Sequence, residues 1–221
     1  MRIRHCAVAL VLGCVSAVAG AQVLAASGFK QGDESWSVQN GAGNFLWLAT
    51  GGDPGGYIRA LEIPEPSSLW FFSAPASFLG NKAAAYGGTL SFSMRSNWSP
   101  PEITAPHASV QLLGANGVLL ALQGDVPPAL DWTRFSVSLV ADGDWKLGSV
   151  NGSAASAADM QAVLSDLLAL RINGDFGQGV EVSGLDSVVL SAVPEPAAMA
   201  LFLAGLAVVV GRARCRAGRS G

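Results

Sequence analysis

Hydrophobic and polar positions alternate in short runs along this chain, which predicts a fold built mainly of β-strands. Residues 89–95 alternate strictly: Leu90, Phe92 and Met94 share one face of the predicted strand. Residues 135–139 repeat the pattern, and residues 185–190 form an apolar run with a less regular period. Further runs with the length of strands are residues 45–49, 57–61, 69–73, 109–113 and 118–122.

Turn and helix signals complete this pattern. Asn116 and Gly117 separate two of the predicted strands, and Asn-Gly favours a tight hairpin. Residues 157–170 carry apolar side chains at helical spacing, and Ser156 with Asp159 resembles a capping box at the start of a helix. Many short strands with one short helix predict an antiparallel two-sheet β-sandwich.

The N-terminal segment, residues 1–21, has the layout of a signal peptide. A short basic start precedes an apolar run, and small residues follow in the A-x-A pattern of a signal-peptidase site. We favour cleavage after Ala21. The alternatives are an uncleaved membrane helix and a lipoprotein start at Cys14.

The C-terminal segment, residues 193–221, has a tripartite layout of a short motif, an apolar run and a basic end. The motif is Val193, Pro194, Glu195 and Pro196, and the basic end includes Arg212, Arg214 and Arg216. The layout resembles PEP-CTERM proteins of Gram-negative bacteria that make extracellular polysaccharide. This resemblance implies processing by an exosortase-type enzyme near the Pro-Glu-Pro.

The apolar run, residues 197–211, is predicted to be a C-terminal transmembrane helix that anchors the precursor in the inner membrane. The arginines after it would stay in the cytoplasm by the positive-inside rule, so the body of the protein would face the periplasm. The alternative is a plain tail anchor that is never cut.

Between these ends, residues 22–192 are predicted to form one acidic domain. They hold seven basic and fifteen acidic residues, a charge near −8, and no cysteine. The domain therefore depends on an apolar core and has no disulfide. Its charge excludes nucleic acid as a partner and leaves room for divalent cations.

Several segments, in order, resemble the laminin B domain, also called laminin IV type A. They are residues 70–75, 78–80, 86–92, 110–114, 132–139 and 184–188, within a match over about 29–191. The resemblance implies a β jelly roll related to carbohydrate-binding modules. The family often has Asn where this chain has Ser187.

The same relatives imply two kinds of site. Related jelly rolls often hold one structural calcium between the first and last strands, which makes Asp186 a candidate ligand, together with Asp33 or Glu34 and the loop 51–53. Tryptophan and tyrosine rings can stack on sugars. The candidates for such a ligand site are Tyr57, Trp98 and Trp145, whereas Trp70 and Trp132 are expected in the core.

Enzymatic activity is not expected. His107 is the only histidine outside the signal segment, so neither a Ser-His-Asp triad nor a zinc site is indicated. We expect an exported extracellular or surface-associated protein with a structural or adhesive role in a matrix or biofilm. The alternative is a carbohydrate-binding module that recognises exopolysaccharide.

Overall fold

A computed structural model describes residues 21–40, 42–62, 69–97, 108–124, 128–176 and 180–193. These residues form two antiparallel six-stranded sheets, whose apolar faces share one core, and one α-helix. The prediction of a mainly β, antiparallel sandwich is confirmed. Within these ranges, no helix is both long enough and apolar enough to cross a bilayer.

Strand β12 is central in the first sheet, because it pairs with three other strands. Its strands are β1 (Val23–Ser27), β3 (Ala42–Gly52), β4 (Gly55–Glu62), β6 (Thr89–Ser96), β9 (Thr133–Ser138) and β12 (Val182–Ser191). The order is β3-β4-β12-β6-β9, with β1 also paired to β12. On one edge of β12, β4 pairs with residues 182–185 and β1 pairs with residues 188–191.

The second sheet has the order β10-β8-β7-β11-β5-β2. Its strands are β2 (Ser37–Gln39), β5 (Phe71–Ser73), β7 (Ala108–Gly114), β8 (Leu119–Gln123), β10 (Trp145–Leu147) and β11 (Leu167–Asn173). The predicted hairpin is confirmed between β7 and β8. Its turn has Gly117 at φ +79° and a hydrogen bond from the N–H of Val118 to Oδ1 of Asn116.

The helix α1 (Ala157–Ser165) starts where the sequence predicts but ends earlier. Ser156 Oγ accepts from the N–H of Asp159, and the carboxylate of Asp159 accepts from the N–H of Ser156, so the capping box is confirmed. The predicted extension to residue 170 is wrong. Residues from Leu167 onward form β11, which is central in the second sheet and pairs with both β7 and β5.

The core contains the residues that alternation assigns to inward faces. Leu90, Phe92 and Met94 are buried, and Phe92 stacks on Phe135 of the neighbouring strand with ring centroids 5.4 Å apart. Trp70 is fully buried, as predicted. Each such large side chain contributes about 1.5–3 kcal/mol through its removal from water.

The chain enters and leaves this domain at the same end. Val23 of β1 lies opposite Ser191 of β12, and the N–H of Ala192 donates a 2.8 Å hydrogen bond to the carbonyl of Gln22. Several predicted features lie outside the described residues: most of the signal segment, Trp98, His107, Pro194, Glu195, Pro196, Arg212, Arg214 and Arg216.

Candidate functional site

A groove of about 340 Å³ lies on the outer face of the first sheet, near the start of β12. Alternation along three adjacent strands creates it. Ile58, Met94 and Leu185 point into the core, so their neighbours in sequence point outward. The residues that line the groove are Tyr57, Arg59, Arg95, Ser96, Asn97, Leu130, Val182 and Gly184.

Gly184 provides the space at the centre of this face. It lies opposite Arg59 of β4 on one side and Arg95 of β6 on the other. A Cβ atom at this position would lie 3.2 Å from the Trp132 ring and 3.3 Å from the Tyr57 ring. These distances are tighter than ordinary contact, so glycine allows the two rings to meet above the strand.

Tyr57 and Trp132 form an edge-to-face pair, with ring centroids 5.3 Å apart and planes at 83°. Trp132 is half-buried beside the groove, and its Nε1 donates a 2.9 Å hydrogen bond to the carbonyl of Gly51. Tyr57 is buried, with 4% of its surface exposed. The pair is therefore fixed in place by packing and by a backbone anchor.

Arg95 is held against both rings. Its guanidinium carbon lies 4.8 Å from the Tyr57 centroid and 5.0 Å from the Trp132 centroid, within cation–π range. Its Nη2 also donates a 2.6 Å hydrogen bond to Oη of Tyr57. The two aromatic residues thus position a cation at the groove wall before any ligand arrives.

The rim of the groove is both polar and apolar. Oδ1 of Asn97 accepts a 2.7 Å hydrogen bond from the N–H of Val182, which joins the end of β6 to the start of β12. Leu130, which also lines the groove, is 59% exposed. Its loop is tied to β6 by a bond from the N–H of Ser96 to the carbonyl of Ala129. A ligand in this groove would meet amide, guanidinium and aliphatic surface together.

Of the predicted ligand residues that the structure describes, one lies in the groove and one lies in the core. Tyr57 lies in the groove. Trp145 does not: it is fully buried and its Nε1 donates to the carbonyl of Ser138, so its ring cannot reach a ligand. Trp132 was expected in the core but packs on the outer face of the sheet. Sequence reasoning did not identify Arg59 and Arg95 as site residues.

The candidate calcium ligand, Asp186, lies two residues after Gly184 on β12, where a bulge begins. It is fully buried, and its Oδ2 and Oδ1 accept 2.5 Å hydrogen bonds from the N–H groups of Asp53 and Ser187. Ser187 adopts φ +50°, and its Oγ donates to the carbonyl of Asp53. The loop after β3 is therefore fastened to β12.

Burial raises the pKa of Asp186, and the negative charges of Asp53 and Glu34 raise it further, against the two backbone hydrogen bonds. The carboxylate of Asp53 accepts from Ser93 Oγ and from Arg134. Asp33 instead caps a turn, where its Oδ1 accepts from the N–H of Ser35. Of the two predicted partners of Asp186, Glu34 is the one whose charge reaches it.

A second acidic cluster joins the ends of β4, β11 and β12. One carboxylate oxygen from each of Glu62, Asp175 and Glu181 lies within 4.8 Å of the others. Glu181 is fully buried and accepts from the N–H of Phe176 and from Ser183 Oγ. Burial, followed by the charges of Asp175 and Glu62, raises the pKa of Glu181 to about 7.

Comparison with known proteins identifies two matching families. The laminin B (domain IV) model matches residues 71–201, and the PEP-CTERM protein-sorting motif matches residues 192–216. The laminin subunit gamma-1 of Xenopus tropicalis is 28% identical over 155 residues, which are 69% of this chain. The chain spans 9% of the length of that laminin subunit.

Solved structures share the fold. The L4b domain of human laminin alpha-2 superposes with a TM-score of 0.51 at 16% identity, over 61% of this chain and 79% of that domain. A family 11 carbohydrate-binding module from Clostridium thermocellum, solved with a β-1,3-1,4-mixed-linked tetrasaccharide, gives 0.50 at 13% identity. That match covers 81% of this chain and all of the module.

Proposed function

This chain belongs to the laminin B (domain IV) family, and we propose that it is an exported adhesive protein that binds polysaccharide through the groove above Gly184. The observation that carries this proposal is the Tyr57–Arg95–Trp132 assembly, in which two rings hold a cation on the outer face of a sheet. Laminin B and carbohydrate-binding-module folds are non-catalytic domain types, which favours binding over catalysis.

The sorting motif supports an extracellular or surface location. In this proposal an exosortase-type enzyme processes the precursor near Pro194–Pro196, while the C-terminal helix holds it in the inner membrane. The arginines after that helix stay in the cytoplasm and the domain faces the periplasm. Intact mass spectrometry of the exported protein tests the processing: a mature mass that still includes Arg212 contradicts it.

The chemistry of the groove suits a sugar. The half-buried Trp132 ring beside the groove offers apolar surface to sugar C–H groups, and guanidinium and amide groups offer hydrogen bonds to hydroxyls. The groove volume of about 340 Å³ lies within the range of about 300–1,000 Å³ that small-ligand sites occupy. The solved module with its tetrasaccharide supports the same use of this fold.

The test is affinity electrophoresis of the full chain, in detergent, through gels that contain individual polysaccharides, including the exopolysaccharide of its own host. Trp132→Ala should abolish retardation. Trp47→Ala is the matched control, because Trp47 is also partly exposed and also donates Nε1 to a backbone carbonyl, that of Phe29. If the wild-type chain is retarded by no polysaccharide, the adhesive role is structural and the binding proposal is wrong.

We retain a structural calcium at Asp186 as a separate proposal. Asp186, Asp53 and Glu34 carry hard oxygen atoms of the kind that calcium prefers. Binding would require these oxygens to turn toward one ion, since the described carboxylates that already converge are those of Glu62, Asp175 and Glu181. Asp53 and Glu34 place negative charge near the buried Asp186, and a bound cation would offset it. The ion would supply charge neutralisation between the first loop and the last strand.

Calcium titration by calorimetry tests this site, with thermal stability as a second readout. Glu34→Gln is the informative variant, because Glu34 is exposed and makes no hydrogen bond that holds the β12 bulge. Binding heat that persists unchanged in Glu34→Gln and Asp186→Asn, or no heat in the wild type, contradicts the proposal.

A further inference from the structure

We propose that the groove selects polysaccharides that carry carboxylate groups, that is, uronate-containing chains, over neutral ones. This inference rests on the proposed function, since it names the class of ligand for the same groove. The observation behind it is the distribution of charge. Arg59 and Arg95 both line the groove, and none of the described residues that line it is acidic.

The positive charge of the groove contrasts with the acidic character of the domain as a whole. Residues 22–192 hold fifteen acidic and seven basic residues, yet two of their four arginines meet in one groove. The other two are used within the fold. Arg134 pairs with Asp53 at 3.4 Å, and Arg171 donates to Oε1 of Gln111.

Among the described residues, neither of the two groove arginines has an ion-pair partner. Both lie directly opposite Gly184, one on each neighbouring strand. Two strand spacings separate their backbones by about 9.5 Å. An anion held in the groove between these two strands would interact with both positive charges.

Their donors are available to a ligand. Among the described residues, Arg59 has no hydrogen-bond or ion-pair partner, and Arg95 has one, the hydroxyl of Tyr57. A guanidinium presents five N–H donors in a planar fork that matches the two oxygens of a carboxylate. Neutral sugar hydroxyls would leave most of this capacity and all of the charge uncompensated.

Arg95 is also prepared for an anion by its neighbours. Its guanidinium is stacked near two rings and fixed by Tyr57, so little side-chain freedom is lost when a ligand binds. Partial burial beside Trp132 reduces screening by water, which strengthens a charge–charge contact. Arg59 lacks such support and is therefore the more adaptable of the two cations.

The experiment compares two polysaccharides with one backbone. Polygalacturonate carries free carboxylates, and its fully methyl-esterified form carries the same sugars without the charge. The full chain in detergent should bind polygalacturonate at least about tenfold more tightly, the scale of one hydrogen bond to a charged group. The preference should shrink as salt is raised.

Variants separate this inference from the proposed function. Arg59→Gln should weaken binding of polygalacturonate more than binding of the methyl ester and so remove most of the preference, whereas Lys82→Gln, outside the groove, should change neither affinity. Equal affinity of the wild type for both polymers overturns the inference while the proposed function stands. Absence of binding to either polymer and to mixed-linkage β-glucan overturns both.

Dextran sulfate with neutral dextran gives the third arm. If Arg59→Gln weakens binding of neither dextran sulfate nor polygalacturonate, the attraction of polyanions is non-specific. That result overturns the inference. Loss of polygalacturonate binding in Arg59→Gln, with dextran sulfate at least about tenfold weaker in the wild type, supports carboxylate selection.

Discussion

Asp53 and Asp186 are 133 residues apart in the chain, yet the backbone N–H of Asp53 donates a 2.5 Å hydrogen bond to Oδ2 of Asp186. The same buried carboxylate accepts the N–H of Ser187. One side chain thus accepts hydrogen bonds from the backbone of a loop and of a strand bulge that are far apart in sequence. This relationship makes Asp186 a structural residue whether or not calcium binds.

Asp186→Ala should therefore lower the free energy of unfolding by about 2–4 kcal/mol, because two N–H groups lose their acceptor in a buried setting. Asp186→Asn keeps one accepting oxygen and removes a buried carboxyl group whose pKa is raised by burial. It should therefore lower the free energy of unfolding less than Asp186→Ala does. Urea unfolding with calcium chelated measures both. Asp166→Ala, on the exposed end of α1, should be neutral, and an Asp186→Ala variant as stable as this control would contradict the assignment.

Stability should depend on pH through Glu181. Its pKa rises from 4.5 to about 7 in the folded protein, mainly through burial, so the fold favours the protonated form. This contribution is fully present below pH 4.5 and is lost as the pH rises through 7. It amounts to about 3 kcal/mol, and Glu62, whose pKa burial also raises, acts in the same direction.

Chemical denaturation at a series of pH values between 5 and 8 checks the effect of Glu181. Glu181→Gln should flatten the decline in stability over this interval, because its amide does not titrate and its carbonyl oxygen can still accept the Phe176 N–H. The matched control is Asp166→Asn, which should retain the slope of the wild type. A slope that survives unchanged in Glu181→Gln would assign the pH dependence elsewhere.

Gly184→Ala should weaken polysaccharide binding more than it weakens the fold. The added Cβ would lie 3.2–3.3 Å from the Trp132 and Tyr57 rings, which must shift by a few tenths of an ångström and move Arg95 with them. Affinity should fall at least fivefold, about 1 kcal/mol. Gly28→Ala is the control, because nothing lies within 4 Å of its Cβ. Equal affinities for the two variants would show that the ring pair does not shape the site.

The cap of α1 gives a prediction independent of function. Ser156→Ala removes the acceptor of the Asp159 N–H and should lower the free energy of unfolding by about 1 kcal/mol. Ser165→Ala, at the other end of the helix, removes a hydroxyl that donates to the carbonyl of Ala162 and should cost less. Thermal unfolding of the two variants, compared side by side, decides whether the cap contributes as its geometry indicates.

Local sequence pattern predicted much of the fold because most elements have a local cause. Strict alternation in residues 89–95 fixes which face of β6 is buried, and a capping box fixes the start of α1. The end of α1 has no such signal. Leu167 and Leu170 continue a helical spacing, and only pairing with β7 and β5, remote in sequence, makes them a strand.

The candidate site was predictable only in part. Tyr57 could be proposed from its residue type, but its meeting with Arg95 and Trp132 depends on the register of β4, β12 and β6 around Gly184. The apolar residues near Trp132 in the sequence favour a core position, but the ring packs on the outer face of the sheet. Arg95 carried a usable signal, because it lies on the outward face of a strictly alternating strand.

Strand β12 has a mechanical consequence for an adhesive protein. The groove lies at its first residues and the tail leaves after its last, about 23 Å from Gly184 along the strand. In the proposed precursor, whose tail is held in the membrane, a pull between a bound polymer and the tail would be carried by β12. The hydrogen bonds of β12 to β4, β6 and β1 then bear the load side by side in shear, so the fold resists tension in the direction in which an anchored domain would receive it.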